Sequence, residues 1–213
     1  MSGKQLPVIY LARHGETEWT LSGRHTGRTD LPLTANGEAE ARRLGEPLQG
    51  LRFASVLTSP LRRAVKTCAM AGFGAAAELE PDLVEWDYGD YEGRTSAEIH
   101  AERPEWRLFR DGCPGGESPD AVAVRADRVI RRVRRVGENV LLFSSGHFLR
   151  MFAARWLGLE PAAGRYFLLG TASLSAVGYE HDLSEPAIRL WDENPNALRR
   201  APNPAWQWVH EAF

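Results

Sequence analysis

The 213-residue chain predicts a three-layer α/β/α sandwich: a mostly parallel central sheet with helices on both faces and a late antiparallel pair at one edge. Three observations predict it. Short apolar runs at residues 8–12, 54–58 and 140–143 read as buried strands. Helical patterns separate these runs, and such alternation builds parallel strands joined by crossover helices. Near the end, residues 173–179 and 187–191 flank His181-Asp-Leu-Ser-Glu-Pro186 and read as an antiparallel pair.

The first run, Val8 to Ala12, delivers Arg13, His14 and Gly15 beyond its carboxyl end, where ligands collect in open α/β sheets. Thr34 then caps a helix with Ala41, Leu44, Leu48 and Leu51 at helical spacing and Gly50 as its stop. After the second run, Ser59 reads as an N-cap and Pro60 as the first residue of a helix that Gly72 closes, which puts Arg62 in its first turn. Ser118-Pro119 opens a helix whose Val122, Ala126, Val129, Val133 and Val136 face the core, its arginine-rich face solvated. The third run ends in Ser144-Ser145-Gly146-His147 and enters a helix through Trp156 that Gly158 terminates. Residues 193–213, with three prolines, Trp206 and Trp208, read as an irregular tail of one domain spanning 1–213. No internal repeat is visible.

With 43% hydrophobic and 25% charged residues, the chain suits one core burying roughly 70% of its unfolded surface. A net charge of -2 and a pI near 6.3 argue against a nucleic-acid binder, which needs a basic surface for phosphates. Cys68 and Cys113 have neither disulfide-framework nor zinc spacing, and no apolar span or signal-peptide pattern is present. The expectation is a soluble cytoplasmic protein without a membrane partner; assembly as a homo-oligomer is left open.

Parallel strands bring Arg13, His14, Arg62 and His147 to one rim, and two of these open helices whose unpaired N–H groups favour a bound anion. Guanidinium forks match phosphate oxygens, and two arginines with two histidines supply the positive charge that magnesium provides elsewhere. Neither a metal nor another cofactor is expected. His14 can attack phosphorus through one ring nitrogen if a backbone carbonyl holds the other. Glu85, in Leu83-Val-Glu-Trp-Asp-Tyr-Gly-Asp-Tyr-Glu-Gly93, is the expected proton donor to the leaving group and later the base for water, with aromatic neighbours desolvating it and raising its pKa. His25, His100, His181 and His210 follow no metal spacing and receive no role.

Arg13-His14-Gly15-Glu16-Thr17, Thr58-Ser59-Pro60-Leu61-Arg62-Arg63-Ala64, Glu85 before Tyr88-Gly89, and Ser145-Gly146-His147 occur in this order. The chain thereby resembles the histidine phosphatase superfamily, the phosphoglycerate-mutase-like group, over residues 8 to 150. The resemblance implies a phosphorylated His14, Glu85 as proton donor, and Arg13, Arg62 and His147 as the phosphate pocket. Three segments resemble the sedoheptulose-1,7-bisphosphatase type: Glu85 to Gly93, Phe109 to Ser118 and Gly146 to Ala154. That likeness implies phosphorylated sugars as partners, Thr20, Thr26, Gly27, Trp86, Asp87, Tyr88 and Phe148 as substrate contacts, and Arg150 on a second phosphate. Mutases of the group carry Asn at Thr20 and a more basic neighbourhood at Trp86-Asp87. A mutase must also keep its intermediate from water, and no Lys-rich closing tail is present. The expected function is a metal-independent phosphatase of small phosphorylated metabolites. A phosphoglycerate mutase using the same phosphohistidine is the alternative, and a binding module without chemistry is a third reading.

Overall fold

A computed structural model describes residues 6–194 of the chain, so all but the first two residues of the expected tail lie outside the described residues. In chain order these form β1 (Ile9–Arg13), α1 (Glu18–Ser22), α2 (Ala35–Leu44), β2 (Ser55–Thr58), α3 (Arg62–Met70), β3 (Ala77–Leu79), α4 (Ser96–Glu102), α5 (Leu108–Asp111), α6 (Pro119–Val136), β4 (Val140–Ser144), α7 (Gly146–Trp156), β5 (Leu174–Tyr179) and β6 (Pro186–Glu193). The sheet runs β3-β2-β4-β1-β5-β6. Its first four strands are parallel, and β5 and β6 continue it antiparallel, as the sequence predicts.

Alternation along the strands divides the interior into two cores. Ile9 and Leu11 of β1, with Val140 and Leu142 of β4, pack with the valine stripe of α6 and with Phe148 and Phe152 of α7. Ala12, Leu141 and Phe143 point the other way, towards Leu44 of α2 and Cys68 of α3. Three layers follow directly. No helix among the described residues is long and apolar enough to cross a membrane.

Local chemistry explains where elements agree with expectation and where they shift. The Thr34 hydroxyl accepts from the Gly37 N–H at 2.9 Å, and the Ser118 hydroxyl from the Ala121 N–H at 3.2 Å, so both caps form. The helix behind Thr34 stops at Leu44 instead of reaching Leu51, because Pro47 cannot donate to an α-helical ladder and the chain tightens into a 3-10 turn over Glu46–Leu48. Ser59 is not the cap of α3. Leu61 is the N-cap and the helix begins at Arg62, a shift that bears on which arginine enters the site. Strand β3, Ala-Glu-Leu on the sheet edge, has no apolar run to announce it.

The rim is built by opposed strand directions. The His14 N–H donates to the Ser144 carbonyl at 3.0 Å, while Ala172 N–H donates to the His14 carbonyl at 3.0 Å. Since β5 is antiparallel, its amino end arrives where β1 and β4 finish, and Leu169, Gly170 and Thr171 become one wall of the cleft.

Candidate active site

His14 is 3% exposed, and its Nδ1 lies 2.8 Å from the carbonyl of Gly15. That contact places the ring proton on Nδ1 and leaves Nε2 with its lone pair. The segment behind it is fixed: the Gly15 N–H donates to the Thr67 hydroxyl at 3.1 Å, the Glu16 N–H to the Glu40 carboxylate at 3.0 Å, and the Thr34 hydroxyl to Glu16 Oε1 at 2.7 Å. A Cβ at Gly15 would sit 2.4 Å from the Gly37 carbonyl oxygen, so the approach of β1's exit to α2 demands glycine. Arg13 runs alongside, with Nη1 on the Leu169 carbonyl. A Cβ at Gly146 would stand 3.1 Å from its guanidinium, so a larger residue there would crowd the cation.

Glu85 is buried, and three backbone N–H groups surround its carboxyl. Trp86 and Phe148 donate to Oε1, both at 2.8 Å, and His147 donates to Oε2 at 2.9 Å. Oε1 has both lone pairs occupied, so Oε2 is the oxygen able to carry a transferable proton. Two of these donors are first-turn groups of α7, where helix N–H groups lack internal partners. The loop itself is held by Arg125, which donates to the carbonyls of Asp82, Val84 and Glu85 and forks onto Glu117 at 2.7 and 2.8 Å.

His147 Nδ1 meets the Tyr88 hydroxyl at 2.6 Å. Burial raises the Tyr88 pKa well above its ordinary value, so the phenol remains a donor and leaves the ring proton of His147 on Nε2. His14, Arg13, Glu85, Tyr88, His147, Arg150, Thr20 and Thr26 all line one cleft of about 830 Å³. The two catalytic histidines expected from separate strands therefore share a site.

Other expected residues stand elsewhere. Arg62 is exposed, and it is Arg63 that enters the interior. Arg63 is 0% exposed, donates to the carbonyls of Thr26, Gly27 and Thr29 at 2.9–3.0 Å, and acts electrostatically on both His14 and Glu85. The reason is helical phase: Arg63, Ala64, Thr67 and Cys68 form the buried face of α3. Trp86 is wholly buried, its indole N–H on the Glu117 carbonyl and its ring edge-on to Phe109, so it is packing. Phe148 likewise gives its N–H to Glu85 and its ring to the core beneath Arg125. Gly27 does not line the cleft; its N–H is held by Glu92, and a Cβ would meet the Trp86 carbonyl at 2.4 Å. Asp87 pairs with Arg28 at 3.3 Å outside the cleft lining. Sequence reasoning missed Arg63, Glu16, His25 and Thr171; of these only Arg63, beside Arg62 in the motif, carried a usable signal.

Among the described residues, the buried side-chain atoms without a hydrogen-bond partner include Arg13 Nε, Arg63 Nε and Thr171 Oγ1. Buried donors in that state are rare. They belong to cleft-lining Arg13 and Thr171 and to Arg63, which acts on His14, so an anion with several acceptor oxygens is the complementary ligand. The described Glu180, His181 and Glu185 could together meet a metal ion, but they are exposed on the β5–β6 turn and do not line the cleft.

Burial, with Arg63 and Arg13 beside it, holds the His14 imidazole well below its usual pKa. His147 is depressed by burial and by Arg150, His25 and Arg13, and burial pushes His25 down to about 4. All three are neutral at pH 7. In the unfolded chain they take up protons near the ordinary value of about 6.5. The unfolded state therefore binds more protons as pH falls below that value, and stability decreases with it. The expected result is a lower denaturant midpoint at pH 5 than at pH 7. His25 alone accounts for on the order of 3 kcal/mol once the pH is below its folded pKa. Midpoints that do not move, or a His25→Asn variant with an equally steep pH slope, would contradict it.

The family model described as the histidine phosphatase superfamily (branch 1) matches residues 9–194. An acid phosphatase of Mycobacterium tuberculosis is 39% identical over 184 residues, covering 84% of this chain and 90% of that protein. The sedoheptulose 1,7-bisphosphatase of Saccharomyces cerevisiae is 36% identical over 186 residues, covering 72% and 68%. A protein of Photorhabdus laumondii described as a probable phosphoglycerate mutase is 36% identical over 183 residues, covering 81% and 85%. Among solved structures, the product of a Mycobacterium tuberculosis open reading frame, Rv3214, superposes with a TM-score of 0.84 at 36% identity, covering 89% of this chain and 99% of that one. A mycobacterial glucosyl-3-phosphoglycerate phosphatase superposes with a TM-score of 0.77 at 25% identity, covering 89% and 100%.

Proposed function

Because the chain belongs to the histidine phosphatase superfamily, we propose that it is a metal-independent phosphatase acting on phosphomonoesters of small metabolites, sugar phosphates or bisphosphates, through a phosphohistidine at His14. The observation that carries this reading is a neutral imidazole with a free Nε2, beside buried guanidinium N–H groups that lack acceptors. A phosphoryl group satisfies those donors, and the cations stabilise its equatorial oxygens as charge moves in the transition state. Such small, soluble substrates and two buried free thiols, Cys68 and Cys113, go with a cytoplasmic location.

In the first step His14 Nε2 attacks phosphorus in line, the P–O ester bond breaks, and the proton on Glu85 Oε2 passes to the departing alkoxide. The product alcohol leaves. In the second step water attacks the phosphohistidine, Glu85 takes the water's proton, the N–P bond breaks, and inorganic phosphate departs with its electron pair returned to Nε2. Arg13, Arg63 and the His147 Nε2–H hold the phosphoryl oxygens throughout. Water entering the cleft is the nucleophile of this second step.

Purified protein in EDTA, supplied with a panel of sugar phosphates, is expected to release phosphate from several members with one or two strongly preferred by kcat/KM. The same panel includes 3-phosphoglycerate with 2,3-bisphosphoglycerate. Formation of 2-phosphoglycerate with little free phosphate would identify the isomerase instead, and turnover that needs an added divalent ion would refute metal independence.

A further inference from the structure

Residues 113–118, Cys113-Pro-Gly-Gly-Glu-Ser118, do not line the catalytic cleft, yet they are joined along their length to the loop that carries Glu85. The Glu117 N–H donates to the Asp87 carbonyl and the Trp86 indole N–H to the Glu117 carbonyl, both at 2.9 Å, while the Asp90 N–H donates to the Pro114 carbonyl at 2.8 Å. The Glu117 side chain adds a further tie, its Oε2 accepting from the Asp87 N–H at 2.9 Å. Only glycine fits so close an approach: a Cβ at Gly116 would stand 2.2 Å from the Asp87 carbonyl oxygen.

One side chain locks the two loops together. Arg125, on α6 and 8% exposed, commits all three of its nitrogens. Nε and Nη2 fork onto Glu117 at 2.7 and 2.8 Å, Nη1 donates to the Asp82 and Val84 carbonyls at 2.8 and 3.1 Å, and Nη2 also reaches the Glu85 carbonyl at 3.4 Å. Its guanidinium lies 5.1 Å from the centre of the Phe148 ring. Phe148 is the residue whose N–H meets Glu85 Oε1, next to the His147 N–H on Oε2. The same cation therefore bears both on the backbone of Glu85 and on the first turn of α7 that supplies two of the three N–H groups around its carboxyl. A guanidinium buried this deeply requires a carboxylate, and Glu117 is its ion-pair partner among the described residues.

We propose that Glu117 and Arg125 are positioning residues for proton transfer at Glu85. Their fork fixes the Glu85 backbone relative to the N-terminus of α7, so that Oε1 is engaged by two N–H groups and Oε2 faces the departing oxygen. The inference rests on the phosphatase reading, in which the P–O bond breaks, its electron pair goes to the ester oxygen and the proton on Oε2 follows it. Neither residue touches substrate. A general acid must lie within hydrogen-bond reach, about 2.6–3.2 Å, of the atom that it protonates, and a misplacement of about 1 Å can cost about 10²-fold. That loss depends on the leaving group. A sugar alkoxide needs its proton as the bond breaks, whereas p-nitrophenolate is stable without one.

The test compares kcat/KM on the preferred sugar phosphate and on p-nitrophenyl phosphate in wild type, Glu117→Gln, Arg125→Lys, Glu85→Gln and the double variant Glu85→Gln/Glu117→Gln. This quantity covers only the steps up to departure of the alcohol, so the later attack of water does not enter. Glu117→Gln and Arg125→Lys are each expected to lose about 10–10²-fold on the sugar phosphate and to stay within about threefold on p-nitrophenyl phosphate. Glu85→Gln should show the same split with a larger loss, and adding Glu117→Gln to it should cost less than about twofold more, because the effect runs through Glu85. Arg125→Lys keeps the buried charges balanced and carries the test if Glu117→Gln does not fold, with melting curves as the control. Equal losses on the two esters, no loss on either, or an undiminished effect of Glu117→Gln in the Glu85→Gln background would overturn the inference and leave the phosphatase intact. If Glu85→Gln itself slows both esters equally, Glu85 is not the proton donor and the inference falls with that assignment. A wild-type protein that releases no phosphate from either ester marks the failure of the phosphatase reading and of the inference together.

Discussion

Replacing His14 with alanine is expected to lower phosphate release on the preferred ester by about 10⁴-fold or more while leaving the ester bound. The loss is large because the imidazole is the atom donor of the new N–P bond; no neighbouring group can take its place. Among the groups nearest to it, Arg13 and Arg63 are cations, and Glu85 has three N–H groups directed at its oxygens. Binding survives because the cations come from other residues, each with its own anchors on the Leu169, Thr26, Gly27 and Thr29 carbonyls. Rapid-quench experiments with labelled ester should show an acid-labile phosphoenzyme in wild type and none in the variant. Undiminished turnover in His14→Ala would refute the nucleophile. The thermal midpoint of the variant serves as the control for folding.

The parts of this molecule that could be read from sequence are those whose cause is local. Three short, largely apolar runs announced β1, β2 and β4, since central strands covered on both faces show little polar alternation. Strand β3 has no such run, and the helical spacing that continues past Leu44 is cut by Pro47. In the site, His14 and His147 follow directly from strand exits, and Glu85 was identifiable from its motif. Residues next to them in sequence were less well served. Trp86 follows Glu85 and Phe148 follows His147, yet both rings turn into the core. Chain adjacency near a catalytic group does not imply adjacency to substrate. His25 and Thr171 reach the cleft only through long-range pairing, the first held to the Arg94 carbonyl and the second brought in by the antiparallel approach of β5.

Arg63→Ala is expected to reduce kcat/KM by about 10²–10³-fold, whereas Arg62→Ala stays within about twofold. The two arginines are neighbours, so their difference is one of helical phase. From Ala64 and Cys68, four apart on the core side of α3, the rotation of about 100° per residue places Arg63 on that face with Thr67, and turns Arg62 outward with Val65 and Lys66. A first-turn position favours an anion only if the side chain is also aimed inward. Arg63 meets that condition: burial lowers its pKa from the ordinary arginine value, with Glu85 opposing, and its buried Nε has no hydrogen-bond partner within the protein. Its loss would also free the carbonyls of Thr26, Gly27 and Thr29, loosening the loop beside His25. Arg63→Lys should therefore recover little, because one ammonium cannot reproduce a fork that serves three carbonyls and an anion. Arg62, by contrast, is tied to the fold through its backbone N–H, which donates to Asp30 at 2.7 Å and survives the side chain's removal. Steady-state kinetics on both variants, with melting curves to normalise for folding, would reverse the assignment if Arg62→Ala proved the crippled enzyme.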